Sequence, residues 1–204
     1  IFNKEKVSDR YPLGFEEFHT EYFTINEWLW EQIRDGEIDK DYLRKHRFYD
    51  SFLFFGIDDF ELAQTFENNF LDEILNHNDL VEGAFEILEY LSNKKYKLHI
   101  LSNGFKEVTY KKCELSGIKN YFQTITSADE INIRKPHPEV YDYALKKAGA
   151  TTEESMMIGD DWIADVEGGK ACGLEVVFLD VFNDNFEADG VKTIKKLKEL
   201  ETLL

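Results

Sequence analysis

The chain has 204 residues, enough for one large domain or a core with a smaller attachment, and its 43% hydrophobic content favours a folded protein over a disordered one. The formal net charge is −17, from 41 acidic and 24 basic side chains with no offsetting basic stripe, which argues against nucleic-acid binding. No long apolar run or signal-peptide pattern is present, and Cys113 and Cys172 lack a pairing or metal spacing, so we expect a soluble cytoplasmic protein without membrane contact.

The first part of the chain has a helical pattern. Aromatic and aliphatic residues recur at three- and four-residue steps over 15–36, 39–56 and 58–75, which predicts three helices. Gly36 and Gly56 are expected stops, and Asp58 or Asp59 is an expected N-cap. We therefore predict an all-helical domain over residues 1–79.

From residue 80 onward, predicted strands alternate with predicted helices. The strands end at the segments HILSNG, FQTITS, SMMIGD and VVFLD, and helices are expected over 82–94, 105–116, 138–148, 163–172 and 193–203. This alternation predicts an α/β fold with a parallel sheet and helices on both faces over residues 80–204. Ligands bind beyond the carboxyl ends of the strands in such sheets.

Two of the predicted strand ends carry residues suited to an anion. Ser102, Asn103 and Gly104 supply a hydroxyl and backbone N–H groups that can cradle an anionic oxygen, although the tripeptide alone is more typical of an ordinary turn. Lys135 stands before Pro136 and Pro138, which stiffen the approach to the next helix and would hold the lysine in place.

A third strand end carries three carboxylates, Asp160, Asp161 and Asp165. Like charges this close are unfavourable unless a cation joins them, and hard oxygen ligands suit Mg²⁺. The alternative is an acidic helix start with an N-cap, which the helix dipole favours. We prefer that alternative for Asp161, and taken alone it would explain the other two as well.

The ordered set LSNG, KP-x-P and GDD-x₃-D, each after its own strand, resembles the motifs of the haloacid dehalogenase superfamily of hydrolases. The resemblance covers essentially the whole chain, since residues 1–79 look like that family's helical cap domain and residues 80–204 like its core. Within the superfamily, the segments INEWLW, LRKHRF, FGIDD, SNGF and SGIKNYF look most like the pyrimidine 5′-nucleotidase-like group. The implied fold is a Rossmann-like, three-layer α/β/α core with an all-helical cap.

The resemblance also implies roles for the phosphate-binding residues. Ser102 would hydrogen-bond the transferring phosphoryl group, helped by the backbone amides of Asn103 and Gly104. Lys135 would neutralise charge on the nucleophile and the phosphate. Phosphoryl transfer mainly needs such positioning and charge stabilisation.

For the metal, the resemblance implies that Asp160 binds Mg²⁺ and that Asp165 supports the metal or the lysine. The family's first motif, an apolar strand ending in D-x-D-x-T, does not occur in these residues. FGIDDF lies in a helical region, and VVFLDVFND, with Asp180, lacks the second Asp and the Thr. We expect the first core strand and its nucleophilic aspartate to precede Ile1 in a longer gene product, by roughly 25–35 residues at typical element lengths. Without that motif we expect these residues to be inactive.

The leading hypothesis is a Mg²⁺-dependent phosphatase that acts on a small phosphorylated metabolite, a nucleoside 5′-monophosphate, through an aspartyl-phosphate. A 2-haloacid dehalogenase is an alternative, although GDD argues against it, because that group has Ser and Asn at the positions of Gly159 and Asp160. A non-catalytic binding protein on the same fold is a third hypothesis. The expected oligomeric state is a monomer or a homodimer.

Substrate choice is expected to depend on the helical domain and on the residue after the SNG turn. Phe105 is a candidate for stacking on a base, and Arg47 is a candidate for substrate contact, with Arg44 and His46 in the same short stretch. A solvated helix face is the alternative for at least two of these three.

Overall fold

A computed structural model describes residues 1–204 and divides into two compact units, Ile1–His77 and Asn78–Leu204. The sequence placed this division at residues 79 and 80. No helix combines the length and the apolar character that crossing a membrane requires. The helices and strands are α1 (Val7–Arg10), α2 (Phe15–Arg34), α3 (Lys40–Phe54), α4 (Phe60–Ile74), α5 (Ala84–Asn93), β1 (Leu98–Ser102), α6 (Lys106–Leu115), β2 (Phe122–Ser127), α7 (Pro138–Ala148), β3 (Met156–Gly159), α8 (Gly168–Ala171), β4 (Glu175–Leu179) and β5 (Lys192–Ile194).

The first unit is helical, and the three predicted helices are confirmed as α2, α3 and α4. Its core is aromatic: the rings of Phe18 and Phe52 stack with centroids 4.7 Å apart, and Phe66 meets Phe52 edge-on at 5.0 Å. Asp59 is the N-cap of α4, as expected, and accepts a hydrogen bond from Leu62 N. Burial of these three rings, one from each helix, holds α2, α3 and α4 together.

The second unit has the predicted α/β alternation with parallel strands, which confirms the fold class. The strands form two sheets, with the orders β1-β2 and β3-β4-β5. β4 has neighbours on both sides and is buried from Val176 to Leu179, whereas every residue of β1 and β3 is half-buried. Leu98 of β1 and Ile158 of β3 nevertheless pack against the same hydrophobic cluster.

One predicted helix, 193–203, is wrong. The segment forms β5, which pairs with β4 through Ile194 and Leu179, and then a 3₁₀ helix over Leu197–Thr202. Ile194 and Leu200 are buried in the same cluster. The apolar residues recur every third position there, which suits the three-residue turn of a 3₁₀ helix, and burial of Ile194 beside β4 overrides its helical pattern.

Candidate active site

The polar residues predicted at three strand ends lie together in the structure. Lys135 connects them. Its backbone N–H and C=O bond the Asn103 side chain after β1, and its ammonium contacts Asp165 after β3. The charges of Lys135 and Asp165 both shift the pKa of the Asp160 carboxyl group, so this group lies near them. The parallel strands thus bring residues from three separate parts of the sequence to one edge of the second unit.

The turn after β1 is organised around the Ser102 hydroxyl. Its oxygen accepts hydrogen bonds from Gly104 N at 3.0 Å and from the Thr109 hydroxyl at 3.3 Å. A hydroxyl that accepts two bonds keeps its own hydrogen to donate. Ser102 can therefore donate to an anionic oxygen, whereas the Gly104 N–H is engaged by the serine in this structure.

Lys135 and Asp165 form a buried ion pair, with Nζ 2.5 Å from Oδ1 and side-chain exposures of 8% and 6%. The second oxygen of Asp165 accepts from Asp161 N at 3.1 Å. Both carboxylate oxygens are thus engaged, and the burial makes the lysine a cation fixed in one place. Its position, after β2 and before α7, is the one that the two prolines predicted.

The backbone around Asp165 is a π-helix over Trp162–Glu167, which begins one residue before the predicted helix 163–172. Asp161 is its N-cap and accepts from Ala164 N at 2.8 Å, which confirms the capping role preferred for this residue. The Tyr141 hydroxyl donates to Ala164 O. Burial raises the pKa of Tyr141, as does the charge of Asp165, so the hydroxyl remains a donor.

Two glycines permit this close packing. A Cβ at Gly159 would overlap the carboxyl group of Asp165, and a Cβ at Gly168 would overlap the Tyr141 hydroxyl and lie 2.9 Å from Cα of Pro136. The strand end and the helix that follows the π-helix therefore accept no larger residue without a shift of their neighbours.

Asp160 is the carboxylate best suited to a metal. Asp160 is exposed at the surface, yet desolvation by its neighbours raises its pKa, and the nearby charge of Asp165 raises this pKa further, which Lys135 opposes. Two carboxylates around one lysine leave the group with uncompensated negative charge, which a cation would neutralise. No group of three or more His, Cys, Asp or Glu side chains is arranged to hold a metal, so this pair would need oxygen ligands from water or substrate, as Mg²⁺ commonly does.

The candidates for substrate contact are less accessible than the sequence suggested. Arg47 is 3% exposed, and its guanidinium binds both oxygens of Glu67 at 2.7 and 3.0 Å. Arg44 also binds Glu67, at 3.0 Å, and His46 lies 3.1 Å from Asp50. This arrangement makes Arg47 part of the core of the first unit, and its burial argues against the predicted contact with substrate.

Phe105 and Asp180 are also packed in the structure. The Phe105 side chain is 4% exposed at the N-cap of α6, which argues against stacking on a base. Asp180, which the sequence excluded as a nucleophile, is 2% exposed and accepts from Asp184 N and Asn185 N in its own loop. Burial in a closed loop agrees with that exclusion.

Three contributors were missed from the sequence: the Thr109 hydroxyl, the Tyr141 hydroxyl and the side chain of Asn103. The first two lie on helices, where the sequence pattern shows only a polar or aromatic residue. The side chain of Asn103 was not considered because only its backbone amide was expected to act. No local signal identifies these contacts, since each partner is distant in sequence or lies in the backbone.

Comparison with known proteins shows one family. The family model described as haloacid dehalogenase-like hydrolase matches residues 31–179. YfnB of Bacillus subtilis, described as a HAD-hydrolase, is 28% identical over 188 residues, which are 90% of this chain and 78% of YfnB. The pyrimidine 5′-nucleotidase YjjG of Escherichia coli is also 28% identical over 188 residues, 90% of this chain and 81% of YjjG.

Solved structures show the same likeness. A structure of the Bacillus subtilis YfnB protein bound to magnesium is similar with a TM-score of 0.82 and 26% identity, over 97% of this chain and 86% of that one. An L-2-haloacid dehalogenase from Xanthobacter autotrophicus has a TM-score of 0.70 at 19% identity, over 98% of this chain and 90% of that one. At this lower identity the similarity extends to the fold alone.

Proposed function

Since the chain belongs to the haloacid dehalogenase-like hydrolase family, we propose that it hydrolyses a small phosphate monoester, with a nucleoside 5′-monophosphate as the substrate class and Mg²⁺ as the cofactor. The observation that carries this proposal is the buried Lys135, whose backbone bonds the Asn103 side chain after β1 and whose ammonium bonds Asp165 after β3. A fixed cation on a lysine that is bonded to the turn carrying the Ser102 hydroxyl suits a phosphoryl group, whose transfer depends on positioning and charge stabilisation.

The roles of the site residues follow from their hydrogen bonds. Ser102 donates its hydrogen to a phosphoryl oxygen, while Gly104 N and Thr109 hold its oxygen in place. The Lys135 ammonium binds a second phosphoryl oxygen, and Asp165 fixes its direction. Asp160 would hold the metal, with Asp165 in support, and Mg²⁺ would supply additional positive charge to stabilise the transferring phosphoryl group.

The nucleophile is assigned to a further parallel strand that pairs with β1 and β3. Each of these strands has a single neighbour in its sheet, β2 and β4 respectively, and all their residues are half-buried. A parallel strand is ordinarily buried on both faces, so such edges favour an additional partner. An aspartate at the end of that strand would lie beside Ser102 and Lys135 and would carry the phosphoryl group as an aspartyl-phosphate.

The proposal is tested by phosphate release from a panel of nucleoside and sugar monophosphates by the complete gene product, with Mg²⁺ and with EDTA. We expect turnover that requires Mg²⁺ and is greatest with a nucleoside 5′-monophosphate. Lys135→Met should abolish it, whereas Lys111→Met, at a half-exposed lysine on α6, should not. Residues 1–204 alone should be inactive, and turnover by them, with or without Mg²⁺, would contradict the assigned nucleophile.

Two alternatives give different results in the same assay. A 2-haloacid dehalogenase would release chloride from 2-chloropropionate without Mg²⁺ and would release no phosphate. A non-catalytic binding protein would release neither, yet it would bind inorganic phosphate or a nucleotide in a calorimetric titration. Either result would replace the phosphatase proposal.

A further inference from the structure

The side chain of Asn103 is bonded to the backbone of Lys135 at two points. Lys135 N donates to Oδ1 at 2.8 Å, and Nδ2 donates to Lys135 O at 2.9 Å. Only one orientation of the amide satisfies both bonds, because the backbone N–H needs an acceptor and the carbonyl needs a donor. The Asn103 side chain, after β1, therefore hydrogen-bonds both polar backbone groups of Lys135, which is 32 positions away in sequence.

The same lysine is held at its far end. Its Nζ lies 2.5 Å from Oδ1 of Asp165, and both side chains are buried. Asn103 thus determines where the lysine leaves the backbone, and Asp165 determines where its ammonium ends. A shift of either anchor would move the cation relative to Ser102.

A separate contact attaches the preceding residue to the same region. Arg134 Nη2 lies 2.6 Å from Oδ1 of Asp129, and Oδ2 of Asp129 accepts from Lys106 N at 3.1 Å. Arg134 is 5% exposed. These contacts hold the loop before α7 near the start of α6, but their side chains do not bond the Lys135 backbone. The hydrogen bonds to the Lys135 backbone described above come from Asn103.

We infer that Asn103 is a positioning residue whose side chain sets the Lys135 ammonium for phosphoryl transfer, distinct from any contact of its backbone amide with substrate. The inference rests on the proposed function. Displacement of a catalytic group by about 1 Å typically lowers a rate on the order of 100-fold, and the lost interaction is one made in the transition state.

The kinetic test uses Asn103→Ala and Asn103→Asp in the complete gene product. Asp retains an acceptor for Lys135 N but places a carboxylate against Lys135 O, so both variants lose the second bond. We expect kcat to fall by about 10- to 100-fold while KM changes by less than about threefold. Asn120→Ala, at an exposed asparagine of the same unit, should leave both constants unchanged.

Coupling separates positioning from a general structural effect. If Asn103 acts through Lys135, then adding Asn103→Ala to a Lys135→Arg variant should lower its residual kcat by less than about twofold. Independent, multiplied losses in the double variant would overturn the inference. Retained thermal unfolding midpoints would show that the variants are folded.

A readout without turnover distinguishes failure of this inference from failure of the proposed function. Amide hydrogen exchange at Lys135 and labelling of its amine by an acylating reagent should both increase about tenfold or more in Asn103→Ala, which removes the acceptor of the Lys135 N–H, and stay unchanged in Asn120→Ala. Unchanged exchange and labelling in Asn103→Ala would overturn the inference. An inactive wild-type protein would overturn the phosphatase proposal, and these two measurements would still decide whether Asn103 positions the lysine.

Discussion

Gly159 and Asp165 occupy adjoining space: the carboxyl group of Asp165 fills the volume that a Cβ at position 159 would need. Gly159→Ala should therefore force Asp165 away from Lys135 Nζ and Asp161 N. We expect a loss of roughly 1–3 kcal/mol in the free energy of unfolding, as for other overpacked sites, together with loss of phosphatase activity. Urea denaturation followed by circular dichroism measures the first effect, and phosphate release measures the second.

Gly14 offers a control for this substitution. A Cβ there meets its nearest neighbour, Oε2 of Glu17, at an ordinary 3.4 Å. Gly14→Ala at this N-cap should cost about 1 kcal/mol or less and should leave activity unchanged. If Gly159→Ala and Gly14→Ala lowered the free energy of unfolding equally, Asp165 would be able to move away from position 159 at no cost in stability.

Tyr141 and Gly168 should be energetically coupled. Tyr141→Phe leaves Ala164 O without its donor, at a cost of roughly 1–3 kcal/mol, and Gly168→Ala introduces a methyl group onto the same hydroxyl. Removal of the hydroxyl relieves one of the two overlaps at Gly168. The double variant should therefore be less destabilised than the sum of the single variants by about 0.5–2 kcal/mol, measured by urea denaturation.

Tyr143→Phe is the matched control for that cycle, because its hydroxyl bonds Glu130 instead. Its cost should add to that of Gly168→Ala. Additive costs for Tyr141 as well would show that the closeness of its hydroxyl to Gly168 has no energetic effect.

The buried pair of Arg47 and Glu67 should matter far more to stability than an exposed pair. Arg47→Ala would leave Glu67, 3% exposed, with only Arg44 as a cationic partner, and breaking a buried pair costs roughly 3–5 kcal/mol. Replacing both residues, Arg47→Met with Glu67→Leu, should recover most of that loss. Urea denaturation followed by tryptophan fluorescence, to which Trp28 and Trp30 of the first unit and Trp162 of the second contribute, reports the change.

Arg10 provides the comparison, since its side chain is 48% exposed and lies 2.7 Å from Asp59. Arg10→Ala should cost at most about 1 kcal/mol, as is typical of surface pairs. If Arg47→Ala were equally mild, the first unit would have to admit water or a shifted arginine beside Glu67.

Stability should fall in acid partly through Asp59. Leu62 N–H holds the pKa of Asp59 below its usual range, and the Tyr11 hydroxyl and Arg10 add to this effect against the opposing influence of burial. Because this pKa is lower in the folded protein than in the unfolded chain, the ionised carboxylate stabilises the fold at any pH above the unfolded-state pKa of about 3.9. The stabilisation is lost as the pH falls through the folded-state pKa.

Asp59→Asn isolates the charge, because asparagine is also a good N-cap. We expect the variant to be about 1 kcal/mol less stable at pH 6 and to approach wild type below about pH 4. Asp39→Asn, at the N-cap of α3, is the matched change. A constant difference between Asp59→Asn and wild type from pH 6 to pH 3 would contradict the assigned role of the charge.

The elements with a strong local signal were predictable from the sequence. The helices α2 to α4 follow from their three- and four-residue apolar spacing, and the strand ends follow from short apolar runs before glycine or polar residues. The rule for parallel sheets pointed to the strand ends, and the resemblance of their motifs to a known family grouped Ser102, Lys135 and Asp165.

Features set by distant partners were not predictable. The spacing of Ile194, Leu197 and Leu200 suited a helix, but pairing with β4 gave Ile194 a strand conformation. Arg47 was predicted to contact substrate, and its burial was missed because its partner, Glu67, lies on the next helix, 20 residues away. Pairing and burial between elements decided both outcomes, and neither is encoded in a local window.

The two units have separate hydrophobic clusters, and this separation has an evolutionary consequence. The aromatic cluster around Phe52 is made only by residues of the first unit, whereas Ser102, Lys135 and Asp165 belong to the second. A substitution in that aromatic cluster changes no side chain of the hydrophobic clusters in the second unit. The helical unit can therefore change in sequence without replacing any residue of the lysine site.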